Sequence, residues 1–153
     1  MGKLSPASTK ELHISRAEEI FNKESGWKAL TGTTDFQAIT NSEEPAMRLA
    51  FDLFVDRVCG FIGTYFVSLH GQVDALVFAG GIGEKSGRLR QAVVDHVECL
   101  GFAVDGAANA RELDGTVQDI SAVGSKHNVL VCATDEQFEM ARDCARNEKF
   151  WQG

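Results

Sequence analysis

Two short stretches bring together residue types that could handle a phosphate and its metal. The first is Gly80-Gly81-Ile82-Gly83-Glu84-Lys85-Ser86, where glycines end an apolar run; the second is Thr134-Asp135-Glu136, where an acidic pair ends another. Glycines permit positive φ and leave no Cβ between the backbone and whatever approaches it. A glycine loop joining the carboxyl end of a strand to the amino end of a helix exposes unpaired N–H groups and a positive helix dipole, which suit phosphate or ribose. A carboxylate on the same rim suits a magnesium nucleotide, with Glu136 holding the metal directly or through water. Two plainer readings stay open. Gly81, Gly83 and Gly87 do not spell G-x-G-x-x-G, and no G-x-x-x-x-G-K-[ST] loop occurs, so the glycines also fit a tight turn that lets helix and strand pack. Glu136 also fits an acid that complements a helix dipole from the first turn.

The elements that must position these stretches follow from the apolar spacing. Val73 to Ala79 reads as a strand covered on both faces, followed by a loop over Gly80, Gly81 and Gly83. From Ser86 the spacing changes: Leu89, Val93, Val97 and Leu100 predict an amphipathic helix stopped by Gly101. Asn128 to Ala133 reads as a second buried strand, and Thr134 to Lys149 as the last helix. Thr134 and Gln137 are spaced as a capping box, which puts Asp135 and Glu136 in that helix's first turn. Two strand-to-helix junctions of this kind predict two parallel strands, with ligands at their carboxyl ends.

Upstream, Ser8 or Thr9 is placed to cap a helix that includes Leu12, Ala17, Ile20 and Phe21 and ends before Gly26, and Trp27 to Gln37 reads as a surface loop. Asn41 or Ser42 caps a long helix, with Glu43 and Glu44 in its first turn, Pro45 near its start, and His70 and Gly71 closing it. Its apolar residues, from Met47 to Leu69, cover so much of its circumference that burial against a sheet and a second subunit is expected. Phe102 to Asp105 is a candidate strand, Ala107 to Gly115 a polar loop, and Val117 to Val123 an edge strand.

Composition narrows the classes. The 153 residues are enough for one domain with a core, and 22 acidic against 15 basic side chains give a net charge of −7. That balance argues against nonspecific nucleic-acid binding. Cys59, Cys99, Cys132 and Cys144 are widely spaced within apolar patterns and read as buried thiols of a reducing, cytoplasmic protein. Arg48, Asp52, Asp56 and Arg57 interrupt the most apolar stretch, so it reads as a core helix and not a membrane span. Met1-Gly2 does not make a myristoylation signal, because Pro6 stands where Ser or Thr is required. His13, His70, His96 and His127 have no carboxylate or nucleophile pattern around them and read as structural or solvated.

The motifs VDALVF, GGIGEKS and LGF, in that order, closely resemble the carboxyl-terminal part of acetate kinases, whose loop reads GGIGENS. FNKESGWKALTGTTDF resembles that family's nucleotide-side segment, and VLVCATDEQFEMARD its last strand and helix. Together these cover roughly Glu19 to Arg142. The resemblance implies an α/β fold: part of an actin-like ATPase (ribonuclease H-like) domain, a mixed sheet with parallel strands flanked by helices. It implies transfer of the ATP γ-phosphoryl group to acetate, giving acetyl phosphate and ADP. The residues matching the family's nucleotide loop are Gly81, Ile82 and Gly83, and those lining its adenosine pocket are Asp35 and Phe36. The acid matching its magnesium site is Glu136.

Three positions depart from the family pattern. Lys85 stands where the loop has Asn, Gln37 where Arg follows the Asp-Phe pair, and Asp135 where Asn precedes the acidic pair. Lys85 brings a point charge to a phosphate but not a carboxamide's paired donor and acceptor, and Gln37 removes a cation. Members of the family are considerably longer, with the acetate- and phosphoryl-binding residues upstream of everything matched here. The expectation is therefore a single incomplete carboxyl-terminal domain, residues 1–153, that binds ATP or ADP with magnesium. It is not expected to catalyse alone, and it is expected to self-associate as a homodimer. The alternatives are a non-catalytic interaction module and a kinase for another short carboxylic acid, such as propionate or butyrate.

Overall fold

The computed structural model describes residues 16–146, so the cap expected at Ser8 or Thr9 lies outside the described residues. The chain divides into two compact units, Met1–Ala50 and Phe51–Gly153.

In the first unit, α1 (Arg16–Lys23) is followed by α2 (Trp27–Thr31) and α3 (Phe36–Asn41), so the segment expected to be a surface loop is largely helical. Local side-chain bonds explain why so many Thr residues still wind. The Thr31 hydroxyl donates back to the Trp27 carbonyl, the Thr33 hydroxyl accepts from the Asp35 amide, and Gly32 takes the left-handed conformation that ends α2. Phe36 and Ile39 are buried, and the Phe36 ring lies 5.1 Å from that of Trp27.

The long helix α4 (Pro45–Ser68) begins with proline at its first position, where a missing N–H costs nothing. Ser42 accepts from the Glu44 amide just before it. At the other end His70 and Gly71 both have positive φ and the Gly71 amide reaches back to the Phe66 carbonyl, closing the helix where expected. Burial on several sides is not observed. Phe51 and Val55 are buried, but Leu53, Phe61, Tyr65, Val67 and Leu69 are each more than half exposed.

In the second unit, β1 (Ala75–Ala79) pairs in parallel with β3 (Asn128–Cys132), and β2 (Val117–Asp119) pairs antiparallel on the far side of β3. The α/β class, the mixed sheet and the two parallel strands stand, whereas the edge strand covers only Val117–Asp119 of the expected Val117 to Val123. The register Ala79 to Cys132 brings both parallel strands to an end at one level. Burial alternates instead of covering both faces: Phe78, Val129 and Val131 are buried, whereas Val77 is half exposed.

Behind the sheet, α6 (Gly87–His96) packs Leu89, Val93 and Val94, then yields to a 3-10 turn (Glu98–Leu100) ended by Gly101 in the left-handed region. The helix therefore stops one turn earlier than its apolar spacing suggests. Phe102 is buried against Phe66 and His127, and of the expected strand only Val104 pairs, bridging to Ser121. The polar loop after it holds a short helix, α7 (Gly106–Asn109), capped by Asp105. The last helix is α8 (Glu136–Arg146). Cys99 and Cys144 are exposed and only Cys59 and Cys132 are partly covered, so the expectation of four buried thiols fails. Burial raises the Cys59 thiol above its ordinary range, and the neighbouring Asp56 adds to this.

Candidate functional site

The glycines after β1 do not form an open loop. Gly80–Lys85 winds into a short helix, α5, and only Gly80 has positive φ (71°), the value needed to turn sharply out of the strand. Gly83 is buried against Phe78, where an added Cβ would meet the strand backbone at 3.4 Å, an ordinary van der Waals contact. At Gly81, by contrast, an added Cβ would meet nothing within 4 Å, and the residue is exposed. Ile82 is half-buried and Lys85 is exposed in the last turn, where its charge complements the helix dipole.

Two interactions fix this segment. On the rim, the Thr134 amide and hydroxyl both donate to Glu84 Oε1, at 3.0 and 2.9 Å, while the same hydroxyl accepts from the Gly80 amide at 3.2 Å. Those two bonds from Thr134 hold the Glu84 carboxyl below the usual glutamate range, with smaller help from the Gly80 amide and the Lys85 charge.

At the other end, the buried Arg90 guanidinium donates to the carbonyls of Gly83 (2.8 Å) and Glu84 (2.7 Å), which end α5. It also donates to the side chain and carbonyl of Asn109, at 2.7 and 2.8 Å, and Asn109 in turn donates to Gly87. Burial pushes the Arg90 pKa down, but every bond it makes is to a neutral oxygen.

Thr134 is therefore not the cap of α8, because its hydroxyl is committed to Glu84. Asp135 takes that role, its Oδ1 accepting from the Phe138 amide at 2.8 Å. Asn caps as well as Asp, which gives the Asp135 departure a plain structural meaning. Glu136 is the first residue of α8 and its side chain is exposed.

Gly81, Ile82, Gly83, Lys85 and Glu136 thus lie on two segments of the second unit that the Glu84–Thr134 contact ties together. Asp35, Phe36 and Gln37 belong to the first unit, at the start of α3. There Asp35 accepts from the Gln37 and Ala38 amides (2.9 and 3.3 Å), Phe36 is buried, and Gln37 is exposed.

Sequence reasoning assigned no role to Glu84 or Thr134 as partners, nor to Arg90 and Asn109. The available signal for Arg90 was a lone charge inside the apolar stripe of Leu89, Val93 and Val94. For Glu84 it was an acid one turn past the end of a strand whose parallel neighbour ends in a donor-rich threonine.

As a donor set, Glu136 offers a hard, exposed carboxylate, and no group of three or more metal-capable side chains occurs among the described residues. Such a site fits magnesium, which takes one or two carboxylates, keeps several waters and draws other ligands from phosphate oxygens.

The pattern of the Acetokinase family matches residues 6–142. A probable acetate kinase of Neurospora crassa is 56% identical over 99% of this chain and 39% of its own length. Among solved structures, an acetate kinase of Porphyromonas gingivalis superposes with a TM-score of 0.73 at 27% identity, over 99% of this chain and 39% of that one. A propionate kinase of Francisella tularensis does so with a TM-score of 0.73 at 29% identity, over 93% and 38%. The chain spans about 39% of the length of the N. crassa relative. With its family pattern matched across residues 6–142, the chain belongs to the acetokinase family.

Proposed function

We propose that this chain supplies the nucleotide and magnesium side of a kinase that transfers the ATP γ-phosphoryl group to acetate, forming acetyl phosphate and ADP. The observation that carries the reading is the joined rim of β1 and β3, where the glycine segment and the junction bearing Glu136 are locked together. Gly81, Ile82, Gly83 and Lys85 approach the nucleotide phosphates and sugar. Gly81 suits this role because, among the described residues, an added Cβ there would meet nothing within 4 Å.

Glu136 holds the magnesium ion of the nucleotide directly or through water. When bound, that ion neutralises charge on the phosphate oxygens. Phosphoryl transfer is chiefly positioning and charge neutralisation, so binding is what this part of the enzyme contributes. The groups that take acetate and steady the moving phosphoryl belong to the remaining length of the relatives, and the 153 residues alone are catalytically silent. We place the protein in the cytoplasm, which the exposed thiol of Cys99 supports. Among the described residues no helix is long and apolar enough to cross a membrane. A second reading, a kinase for propionate, is favoured by the likeness to the F. tularensis structure.

Calorimetric titration of the chain with MgADP tests the nucleotide claim. Saturable binding that weakens in Glu136→Ala supports it, and a folded chain that takes up no MgADP refutes it.

A further inference from the structure

We propose that Glu84 is a positioning residue for the magnesium-bearing acid. By bonding the amide and hydroxyl of Thr134 it fixes the start of α8, and with it Glu136, against the glycine segment that receives the nucleotide. The inference rests on the nucleotide reading above and adds to it a residue that touches neither ligand.

The geometry is specific. Glu84 lies on α5 and Thr134 fifty residues later, two residues before Glu136, and one oxygen of the carboxylate collects both Thr134 donors. Thr134 also accepts from Gly80, the residue at which the chain leaves β1. The three residues form a closed triangle across the ends of the two parallel strands, at the level where Ala79 pairs with Cys132.

Asp135 turns inward to its own helix, and Glu136 and Gln137 are exposed. Without the triangle, α8 starts from a junction free to swing, and a lone carboxylate loses its place relative to the phosphates. Groups that orient a metal ligand from behind commonly cost 10- to 100-fold in metal affinity when removed.

The test separates metal-dependent from metal-independent binding. ADP is titrated with and without magnesium into the wild-type chain and into Glu84→Ala, Glu84→Gln and Thr134→Val, with thermal melts to identify folded variants. Expected for Glu84→Ala and Thr134→Val is a loss of roughly tenfold in the gain that magnesium brings, while affinity for metal-free ADP stays within about threefold of wild type, the scatter common to single-site effects. Glu84→Gln, which keeps an accepting oxygen in place, recovers part of the loss. Should Glu84→Ala fail to fold, Thr134→Val and Glu84→Gln carry the comparison.

If wild type gains from magnesium and the folded variants gain equally, Glu84 is not a positioning residue, and the nucleotide reading survives. Equal losses with and without magnesium also overturn the proposal, because they describe damage to the glycine segment itself. If the wild-type chain binds no ADP under either condition, the nucleotide reading fails first and this inference falls with it.

Discussion

Gly80, Gly81 and Gly83 look alike in the sequence, yet the structure places them differently. Gly80 needs positive φ, Gly83 is buried in ordinary contact with Phe78, and Gly81 is open. Gly81→Ala should therefore leave the fold intact or stabilise it by about 0.5–1 kcal/mol, since alanine is the better helix residue. The same methyl stands where the nucleotide is proposed to lie, so MgADP affinity should fall while the melting temperature does not. Gly80→Ala should instead destabilise by about 1 kcal/mol through its left-handed φ alone. A Gly81→Ala chain that binds as wild type would remove Gly81 from the site. Glu84 adds a pH signature. Its folded pKa lies below the ordinary value of 4.5, so its contribution is present above that value and is lost as pH falls through the lower, folded one. The urea-midpoint difference between wild type and Glu84→Gln should hold near neutrality and shrink below pH 4.5. A difference that grows on acidification would mean that the charge is not held by Thr134. That a glycine segment ends β1 was readable in the sequence, but the differences among its glycines were not, because φ and burial belong to backbone geometry that residue type does not encode.

The strands and the two junctions were readable because apolar runs and their terminators are local signals, whereas helices held by side-chain bonds to their own backbone were not. Trp27 to Gln37 lacks apolar periodicity, and its turns are made by Thr31, Thr33 and Asp35 bonding nearby backbone. α5 is a six-residue helix with three glycines, a composition that argues for coil. What keeps it wound comes from elsewhere in the chain: Arg90 occupies its terminal carbonyls, and Glu84 is held by Thr134. Arg90→Leu keeps most of the side chain's bulk but leaves Asn109 and the carbonyls of Gly83 and Glu84 without that donor. Each buried orphan costs about 1–3 kcal/mol, so a loss of about 3 kcal/mol or more is expected in urea unfolding. Arg90→Lys should recover only a fraction, because an ammonium cannot span the same fork of acceptors. A loss under about 1 kcal/mol in Arg90→Leu would show that α5 stands on its own helical bonds, at the usual worth of one net hydrogen bond.

The family and the mixed parallel sheet were readable across the chain; the open apolar surface was not, because periodicity says which side chains want cover and not what covers them. α4 is 24 residues long and about 36 Å at 1.5 Å per residue, and it leaves Leu53, Phe61, Tyr65 and Val67 largely exposed, with Leu69, just past its end, also exposed. Val77 of β1, the strand at the near edge of the sheet, is exposed as well. A chain with net charge −7 resists nonspecific clumping, so exposed apolar residues of this size favour a defined partner over precipitation. A second copy of the chain is the partner proposed here, and light scattering at micromolar concentration should return a dimer or a higher closed oligomer. Tyr65→Glu paired with Phe61→Glu places two like charges on that surface and should shift the population to monomer without moving the urea midpoint by more than about 0.5 kcal/mol, the usual range for surface changes. The rival cover is the remaining length that the relatives possess. The two separate cleanly: self-association that persists in a longer protein carrying the remaining length of the relatives assigns α4 to the dimer, whereas association seen only in the 153-residue chain assigns that face to cover by that remaining length. A monomeric 153-residue chain would refute the dimer outright.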